Sequence, residues 1–242
     1  MSVASEITRL QGVKREIMDA LSAKGVTVPQ GAALADVPEL IGDIPGGGEL
    51  PDEYKRLLFI AKAAGASTTV NFPSNTFYID SSDTIILKFA NQRINTSQFY
   101  FTVIRAYNSS LNKLIQFYID EASSKNRYNG QWGTLYYGIA TSNVDCYTYQ
   151  DYEVVMKSTE QIKINGVSYN WNREQIGAYI NQISSNQGNF SKYYSIQIKD
   201  SSDGIKFNFV PCVRIADSVP GLFEEKTQTF VDFTGWTPGI DA

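Results

Sequence analysis

Short runs of β-branched and aromatic residues, separated by Asn, Ser, Gly and Asp, fill the chain from residue 51 to its end. No long segment with apolar residues at helical spacing separates these runs. Antiparallel strands joined by tight turns give this texture, so we expect a mainly β domain of about eight to twelve strands, an antiparallel jelly-roll β-sandwich. The clearest predicted strands cover residues 68–72, 84–90, 98–107, 113–120, 134–141, 152–157, 192–199 and 206–210.

Within several runs the apolar residues alternate with polar ones, as in a strand with one buried face. Ile196 and Ile198 flank a glutamine and are predicted to face the core together. Asn165 and Gly166 separate two further alternating runs. Both central residues of a type I′ turn need a positive φ, which Asn and Gly adopt most easily. The sequence therefore predicts a β-hairpin centred on this pair.

The first part of the chain has a different pattern. Residues 6–24 lack proline and repeat apolar residues at helical spacing, which predicts an amphipathic helix with Ser5 as its N-cap. The stripe that is predicted to attach or oligomerise the chain comprises Ile7, Leu10, Lys14, Ile17 and Leu21. Two interpretations stay open, because the stripe either packs on its own chain or docks onto further copies and partner proteins.

A domain boundary is predicted after this helical part. Gly25 is placed to end the first helix, and Asp36 is placed to cap a second, shorter helix that reaches residue 44. Pro45 and the three glycines after it cannot hold regular structure. The predicted organisation is a helical attachment or oligomerisation module over residues 1–45, a glycine-rich linker over 46–50 and a β-sandwich domain over 51–242.

The chain contains no histidine, and this absence removes most familiar catalytic and metal-binding chemistry. Ser-His-Asp triads, imidazole bases and His-ligated metal sites are excluded. Cys146 and Cys212 are too few for a four-cysteine metal site. They form either two buried thiols or one disulfide, and buried thiols are the favoured interpretation.

Charge and hydropathy exclude two further classes of partner. Lys and Arg number 21 against 25 Asp and Glu, so the net charge is −4, and no basic excess attracts phosphates. Nucleic-acid binding is therefore not expected. No run of apolar residues is long enough to span a bilayer, and the basic-then-apolar order of a secretion signal is missing at the start. We expect neither membrane insertion nor export through a cleaved leader.

Acidic residues offer little support for an enzyme or a metal site. A retaining glycosidase needs two converging carboxylates, and Glu153, two residues after Asp151, gives only a solvated strand face. The acidic turns at residues 80–83 and 200–204 have oxygens that calcium could use, but turn capping explains both. The prediction is a non-enzymatic chain without a metal site or cofactor.

Aromatic residues are the best candidates for a binding role, since 15 tyrosines are present. Tyrosine offers flat apolar area with a polar tip, which suits stacking on sugar rings and protein interfaces. The alternatives are a platform for glycans or a row of rings in the core or at a subunit interface. The candidate ligand-binding residues are Trp132, Tyr147, Tyr149, Tyr152, Asn170, Trp171 and Asn172.

Two parts of the sequence carry patterns known from other proteins. The first pattern lies in Arg9-Leu10-Gln11, Lys14, Ile17, Ala20-Leu21, Lys24 to Pro29, Leu40-Ile41 and Ile44; the second in residues 194–198, 209–217 and 220–223. The first resembles a small module found in structural proteins of tailed bacteriophages, and the second is similar to the last strands of concanavalin A-like lectin domains in their tail and fibre proteins. Glu224 stands where the lectin pattern has aspartate, and the glycine-rich ending is reduced to residues 233–236. These departures weigh against a ligand role for that turn.

The resemblance implies a bacteriophage virion structural protein of the fibre or tail, whose concanavalin A-like domain attaches to host-surface glycan. It implies a homotrimer, contacts with other virion proteins through residues 1–45, and assembly into the virion after synthesis in the bacterial host cytoplasm. Two alternatives remain. One is a purely structural decoration or spacer protein, such as a head fibre, and the other is a bacterial carbohydrate-binding adhesin.

Overall fold

Eighteen antiparallel strands and one long helix make up most of the part of the chain that the structure, a computed structural model, describes. The described residues are 3–23, 28–29, 31–37, 50–62, 67–94, 100–133, 136–157, 161–170, 174, 176–185 and 189–240. The chain divides into two compact units, Met1–Leu50 and Pro51–Ala242. Among the described residues, no helix is long and apolar enough to cross a membrane.

The strands of the second unit run in chain order. They are β1 (Tyr54–Arg56), β2 (Ile60–Lys62), β3 (Thr68–Asn71), β4 (Tyr78–Ile79), β5 (Thr84–Arg93), β6 (Tyr100–Asn108), β7 (Lys113–Ala122), β8 (Lys125–Gly133), β9 (Tyr136–Asp145), β10 (Gln150–Met156), β11 (Gln161–Ile164), β12 (Val167–Asn170), β13 (Ala178–Ser185), β14 (Asn189–Lys199), β15 (Ile205–Arg214), β16 (Val219–Glu224), β17 (Thr229–Asp232) and β18 (Thr237–Pro238).

These strands form two antiparallel sheets. The larger sheet has the order β12-β11-β10-β5-β14-β15-β16-β17, with β1 paired to β15, β2 to β14 and β18 to β2. The smaller sheet has the order β3-β13-β6-β7-β8-β9, with β4 paired to β13. The prediction of a mainly β chain with an antiparallel jelly-roll β-sandwich after a short helical segment is confirmed.

The core lies between the inner faces of the two sheets and is rich in aromatic rings. Phe77 and Phe209 meet edge to face, with ring centroids 4.8 Å apart. Tyr193 of β14 is fully buried, and its hydroxyl donates a hydrogen bond to the carbonyl of Val103 in β6. This bond joins the larger sheet to the smaller one, so a polar group is satisfied where the core would otherwise penalise it.

The local predictions that depend on alternation and on turn chemistry are confirmed. Ile196 and Ile198 are both fully buried on β14. The hairpin between β11 and β12 turns at Asn165 and Gly166, whose φ angles are 49° and 80°. These are the positive angles that a type I′ turn demands of both central residues.

The prediction of eight to twelve strands is wrong, because the described residues form eighteen, several of them only two to four residues long. The segments Lys125–Gly133 and Ala178–Ser185 were not predicted, although β8 and β13 occupy them. β8 contains three polar amides and two glycines, which individually disfavour strands, and pairing with β7 and β9 overrides that preference. The strand expected at 134–141 is β9, which extends to Asp145; residues 134–135 lie outside the described part of the chain.

The first unit contains helix α1, which spans Val3–Ala23. The helix begins before Ser5, so the prediction of this residue as N-cap is wrong; serine is tolerated in a first turn, where backbone N–H groups lack intrahelical partners. Asp36 was predicted to cap a second helix. Its carboxylate accepts the N–H of Ala33 at 2.7 Å and closes a 3-10 turn over Leu34–Asp36. Gly25, residues 38–44 of the predicted second helix and residues 46–49 of the predicted linker lie outside the described residues.

The apolar stripe of α1 divides into two parts. Ile17 and Met18 pack against Ala32 within their own unit. Ile7 and Leu10, nearer the start of the helix, are 51% and 43% exposed. Lys14 is half-buried, and the Leu21 side chain is outside the described set. Of the predicted stripe, Ile7 and Leu10 are therefore open to a partner, and Ile17 contacts its own unit.

Both cysteines are buried free thiols, as the favoured interpretation predicted. Burial raises the pKa of the Cys212 thiol to about 12. The thiol is therefore protonated at neutral pH, which suits a side chain that serves only in packing.

Replacing Asn165 by alanine is expected to lower the free energy of unfolding by about 1–2 kcal/mol. Alanine is strained at this positive φ, and two hydrogen bonds are lost. The Asn165 amide accepts the N–H of Glu153 at 2.8 Å and donates to the carbonyl of Asp151 at 3.1 Å. Urea unfolding measures the change. Val167→Ala, at an exposed position beside the turn, is the control, and an equal loss in both variants would contradict this account.

Candidate functional site

A group of aromatic and charged side chains lies on the solvent side of the larger sheet. It combines rings, hydroxyls, one carboxylate and one ammonium in mutual contact. We call it the tyrosine patch and define it as Phe59, Tyr149, Asp151, Phe190, Lys192 and Tyr194.

Strand β14 supplies half of this patch because its residues alternate between the core and solvent. Ser191 and Tyr193 are buried, whereas Phe190, Lys192 and Tyr194 are half-buried. A β-bulge adds to this alternation: Tyr193 pairs with Phe89 of β5 and the next paired residue is Ser195, so Tyr194 is the extra residue. Bulges re-aim side chains in this way and often accompany functional sites.

The neighbouring strands place a small residue beneath the larger side chains. Ala90 of β5 pairs with Asp151 on one side and with Lys192 on the other. Ala90 lies two residues after Lys88 and points to the same outer face, and yet it is fully buried. A methyl group at this position leaves room for the long side chains on either side, so the patch lies close to the sheet.

A hydrogen-bonded triad fixes two rings of the patch. The Tyr194 hydroxyl donates to Oδ1 of Asp151 at 2.7 Å. The Tyr149 hydroxyl lies 2.8 Å from that of Tyr194 and 3.2 Å from the same carboxylate oxygen. Burial, reinforced by these two neighbours, raises the pKa of Tyr194 well above its usual range. Tyr194 therefore stays neutral at physiological pH and keeps its hydroxyl proton.

Lys192 occupies the space between three rings. Its ammonium lies 4.2 Å from the ring centroid of Phe59, 5.3 Å from that of Tyr149 and 5.7 Å from that of Phe190. Cations are attracted to ring faces at such distances. The lysine thus restrains rings that come from three separate segments, and the surface is ordered before any ligand arrives.

The patch places apolar and polar groups side by side on one surface. Tyrosine rings offer apolar faces, and hydroxyl, carboxylate and ammonium groups beside them offer hydrogen bonds of both kinds. A retaining glycosidase would need a second carboxylate turned toward the first. Glu153, the nearest acidic residue along β10, has its carboxylate 3.3 Å from the ammonium of Lys88.

The prediction of Trp132 and Tyr152 as ligand-binding residues is wrong, because both side chains are buried. Trp132 is fully buried, and its indole N–H donates to the carbonyl of Ile176 at 3.0 Å. Tyr152 is also buried; its ring stacks on Phe89 at 5.0 Å, and its hydroxyl accepts a hydrogen bond from Asn126 at 2.9 Å. Both rings belong to the core, the alternative that the sequence left open.

Of the other candidates, the structure describes Tyr147, Tyr149 and Asn170. Tyr149 is 37% exposed and belongs to the patch, and Tyr147 is 41% exposed, with the guanidinium of Arg93 5.1 Å from its ring centroid. Asn170 is exposed on the outermost strand, opposite Gln161. Trp171 and Asn172 lie outside the described residues. The structure therefore brings only Tyr149 of the described candidates into the patch.

Five residues of the patch were not predicted as site residues: Phe59, Asp151, Phe190, Lys192 and Tyr194. The sequence does contain a signal for three of them, because Phe190, Lys192 and Tyr194 recur at the spacing of one strand face. The bulge conceals this pattern, because the polar residues that follow it lie on the same face of the strand as these three side chains.

The acidic turns have partners within the protein. Asp80 and Asp83 both accept hydrogen bonds from the Lys206 ammonium, at 2.7 and 2.8 Å. Asp200 accepts the backbone N–H of Ser202 at 2.8 Å, which is the turn capping expected of an aspartate. Over the described ranges, no three Cys, Asp or Glu side chains are grouped as metal ligands.

Glu224, the residue at which the sequence departs from the lectin pattern, joins two segments of the larger sheet. Its side chain is fully buried and accepts the N–H of Asn208 at 2.8 Å and the N–H of Thr227 at 2.6 Å. The carboxylate therefore ties β15 to the turn that follows β16.

No protein-family model matches the chain, and no curated protein matches it either. The fold and the patch are therefore the basis for a functional proposal.

Proposed function

We propose that this chain is a non-enzymatic bacteriophage structural protein of the fibre or tail, whose β-sandwich attaches to host-surface glycan. The tyrosine patch is the observation that carries the proposal. It places two hydrogen-bonded tyrosines, Tyr149 and Tyr194, on the outer face of a sheet, with a carboxylate and an ammonium beside them.

The composition of the patch fits a sugar better than it fits a wholly apolar partner. Sugar rings present C–H groups on their faces and hydroxyls on their edges, so they need aromatic planes next to polar atoms. Asp151 and Lys192 supply an acceptor and a donor within the same surface. Their contacts with the rings hold these groups in place, which reduces the ordering cost of binding.

The exposed part of α1 supports the oligomerisation part of the proposal. Ile7, Leu10 and Val13 are exposed at helical spacing, and burying them would remove apolar area from water. We assign this short stripe to contacts with two further copies of the chain and with other virion proteins. A trimer would present three patches and raise the avidity for a repeating glycan.

Binding to purified envelope and capsule glycans of candidate host bacteria tests the proposed function. The full-length protein is applied to an array of these glycans, and mammalian glycans on the same array serve as the comparison. We expect the protein to be retained on at least one bacterial glycan. Failure to bind any of them would contradict attachment and favour the spacer interpretation.

The oligomeric state gives a separate prediction. Light scattering of the full-length protein is expected to give a mass near three times the 27.0 kDa of one chain. Leu10→Asp places a charge in the exposed stripe and is expected to weaken assembly at least about tenfold. Asp19→Asn, at an exposed position on the same helix, is the control. A monomeric wild type would contradict the trimer.

A further inference from the structure

Lys192 is the cation of the tyrosine patch, and rings rather than carboxylates surround its ammonium. The nearest ring centroid, that of Phe59, lies 4.2 Å away. Ring faces attract a cation but are weak acceptors of hydrogen bonds. Among the ion pairs that the described residues form, none includes Lys192. The N–H donors of this ammonium are therefore available to a ligand.

Two other half-buried lysines of the domain have carboxylate partners. Lys113 contacts Glu174, and Lys206 contacts both Asp80 and Asp83. A cation that loses part of its hydration on folding is stabilised by such a partner. Lys192 is half-buried as well, and its anionic partner is missing. An incoming anion would therefore gain an ion pair here without displacing one that the protein already forms.

The neighbouring carboxylates have partners of their own. Oδ1 of Asp151 accepts hydrogen bonds from both tyrosine hydroxyls of the patch, at 2.7 and 3.2 Å. Hydroxyl donors stabilise the negative charge of a carboxylate. Glu153, on the same strand face, lies 3.3 Å from the ammonium of Lys88. The negative charges of this surface are therefore satisfied within the protein, and Lys192 is the charged group left for a ligand.

The rings around Lys192 also lower the cost of an ion pair with a ligand. An exposed lysine loses side-chain entropy when it is held in one position, and this loss offsets much of the electrostatic gain. The contacts with Phe59, Tyr149 and Phe190 already restrain this side chain. The same rings exclude part of the water around the ammonium, which strengthens its attraction to an anion.

An anionic group and an aromatic contact are close enough here for one sugar residue to use both. The Lys192 ammonium lies 5.3 Å from the ring centroid of Tyr149, and Tyr149 is 37% exposed. A sugar that contacts this ring can extend an exocyclic carboxylate or phosphate to the ammonium. A neutral sugar would contact the same ring and leave the ammonium without an anion.

We propose that the glycan bound at the tyrosine patch is acidic, and that its carboxylate or phosphate group pairs with the Lys192 ammonium. This inference rests on the proposed function and adds the chemical class of the glycan. Carboxylates of acidic sugars and phosphate groups of a glycan chain offer the same anionic oxygens to an ammonium. Neutral glycans meet the same rings without an ion pair, so they should bind more weakly.

An array of native and neutralised glycans tests this inference on the full-length protein. The probes are purified capsule and envelope glycans of candidate host bacteria that contain uronic acid or phosphate. Each is printed in its native form, after reduction of its carboxyl groups to alcohols, and after removal of its phosphate. At least one native glycan is expected to bind roughly tenfold more tightly than its neutral form, the effect of one hydrogen bond to a charged group. The treatment that causes the loss identifies the anionic group.

Lys192→Met is the decisive variant, because it removes the charge and keeps an unbranched side chain among the rings. It is expected to bind the native glycan roughly tenfold more weakly than the wild type and to bind the neutral form unchanged. Lys192→Arg keeps the charge and should retain the preference for the native form. Lys192→Gln is the second variant if the methionine protein fails to fold. Lys88→Met is the matched control and should bind like the wild type, since Lys88 is exposed on the same face and already paired with Glu153.

Two results would overturn the inference and leave the proposed function standing. Either the neutral forms bind as tightly as the native glycans, or the Lys192→Met protein keeps wild-type affinity for the native form. Failure to bind any bacterial glycan, native or neutral, would contradict the proposed function and the inference together. The binding of the neutral forms therefore separates a wrong class of glycan from a wrong function.

Discussion

Trp132→Ala is expected to lower the free energy of unfolding by about 3–5 kcal/mol, the usual cost of removing a large aromatic side chain from a core. Trp132 is fully buried on β8, and its indole N–H donates to the carbonyl of Ile176. The alanine variant loses the packing of the indole and leaves that acceptor without its donor. Guanidinium unfolding, followed by circular dichroism, measures the difference.

Tyr147→Ala is the matched control, since it removes an aromatic ring that is exposed. Its unfolding free energy should fall by no more than about 0.5 kcal/mol, the usual range for surface positions. If the two variants lost equal stability, the division of the predicted aromatic residues into core and surface would be wrong.

The largest expected effect on binding comes from the double variant Tyr149→Ala/Tyr194→Ala. Its affinity for the host glycan should fall about a hundredfold, since two aromatic anchors at the centre of a contact surface each cost about 1–2 kcal/mol when truncated. The two rings and the hydrogen bond that the Tyr194 hydroxyl donates to Asp151 are lost together. Surface plasmon resonance on the immobilised glycan gives the ratio of affinities.

A phenylalanine pair separates the rings from the hydroxyls. Tyr149→Phe/Tyr194→Phe keeps both rings and should lose about tenfold, the contribution of the hydroxyl hydrogen bonds alone. Ile215→Ala, at an exposed position near the other end of the domain's sequence, is the control for general surface changes. Wild-type affinity in the alanine double variant would exclude the patch as the contact surface.

The sequence predicts those parts of the fold that depend on neighbouring residues. The hairpin at Asn165 and Gly166 follows from the φ angles that two adjacent residues must adopt, and the buried pair Ile196 and Ile198 follows from the period of a strand. Neither feature depends on the order of the strands in the sheet.

The candidate site could not be predicted in the same way, because distant segments assemble it. Tyr149, Lys192 and Phe59 are far apart in sequence and meet only because β10, β5, β14 and β2 are neighbours. The same dependence on strand pairing explains why Trp132 and Tyr152, close in sequence to Tyr149, proved to be core residues. A tyrosine-rich run shows that rings are available, but the sheet order decides which of them reach solvent.

The bulges are a further feature that alternation alone conceals. Tyr194 in β14 and Asn181 in β13 are each an extra residue in their strand. Tyr194 contributes a ring to the tyrosine patch, and Asn181 has a buried side-chain Oδ1 without a hydrogen-bond partner. An extra residue shifts the alternation after it, so a period-two pattern misplaces such side chains.

The most direct test of the central claim is a hydroxyl-radical footprint of the full-length protein with and without a bound host glycan. Peptide mass spectrometry reports the oxidation of each side chain, and the exposed Leu111 and Ile215 serve as references. If the tyrosine patch contacts the glycan, bound glycan is expected to protect Tyr149 from oxidation and to leave the oxidation of both references unchanged. Tight glycan binding with Tyr149 oxidised as fast as in the free protein would contradict it.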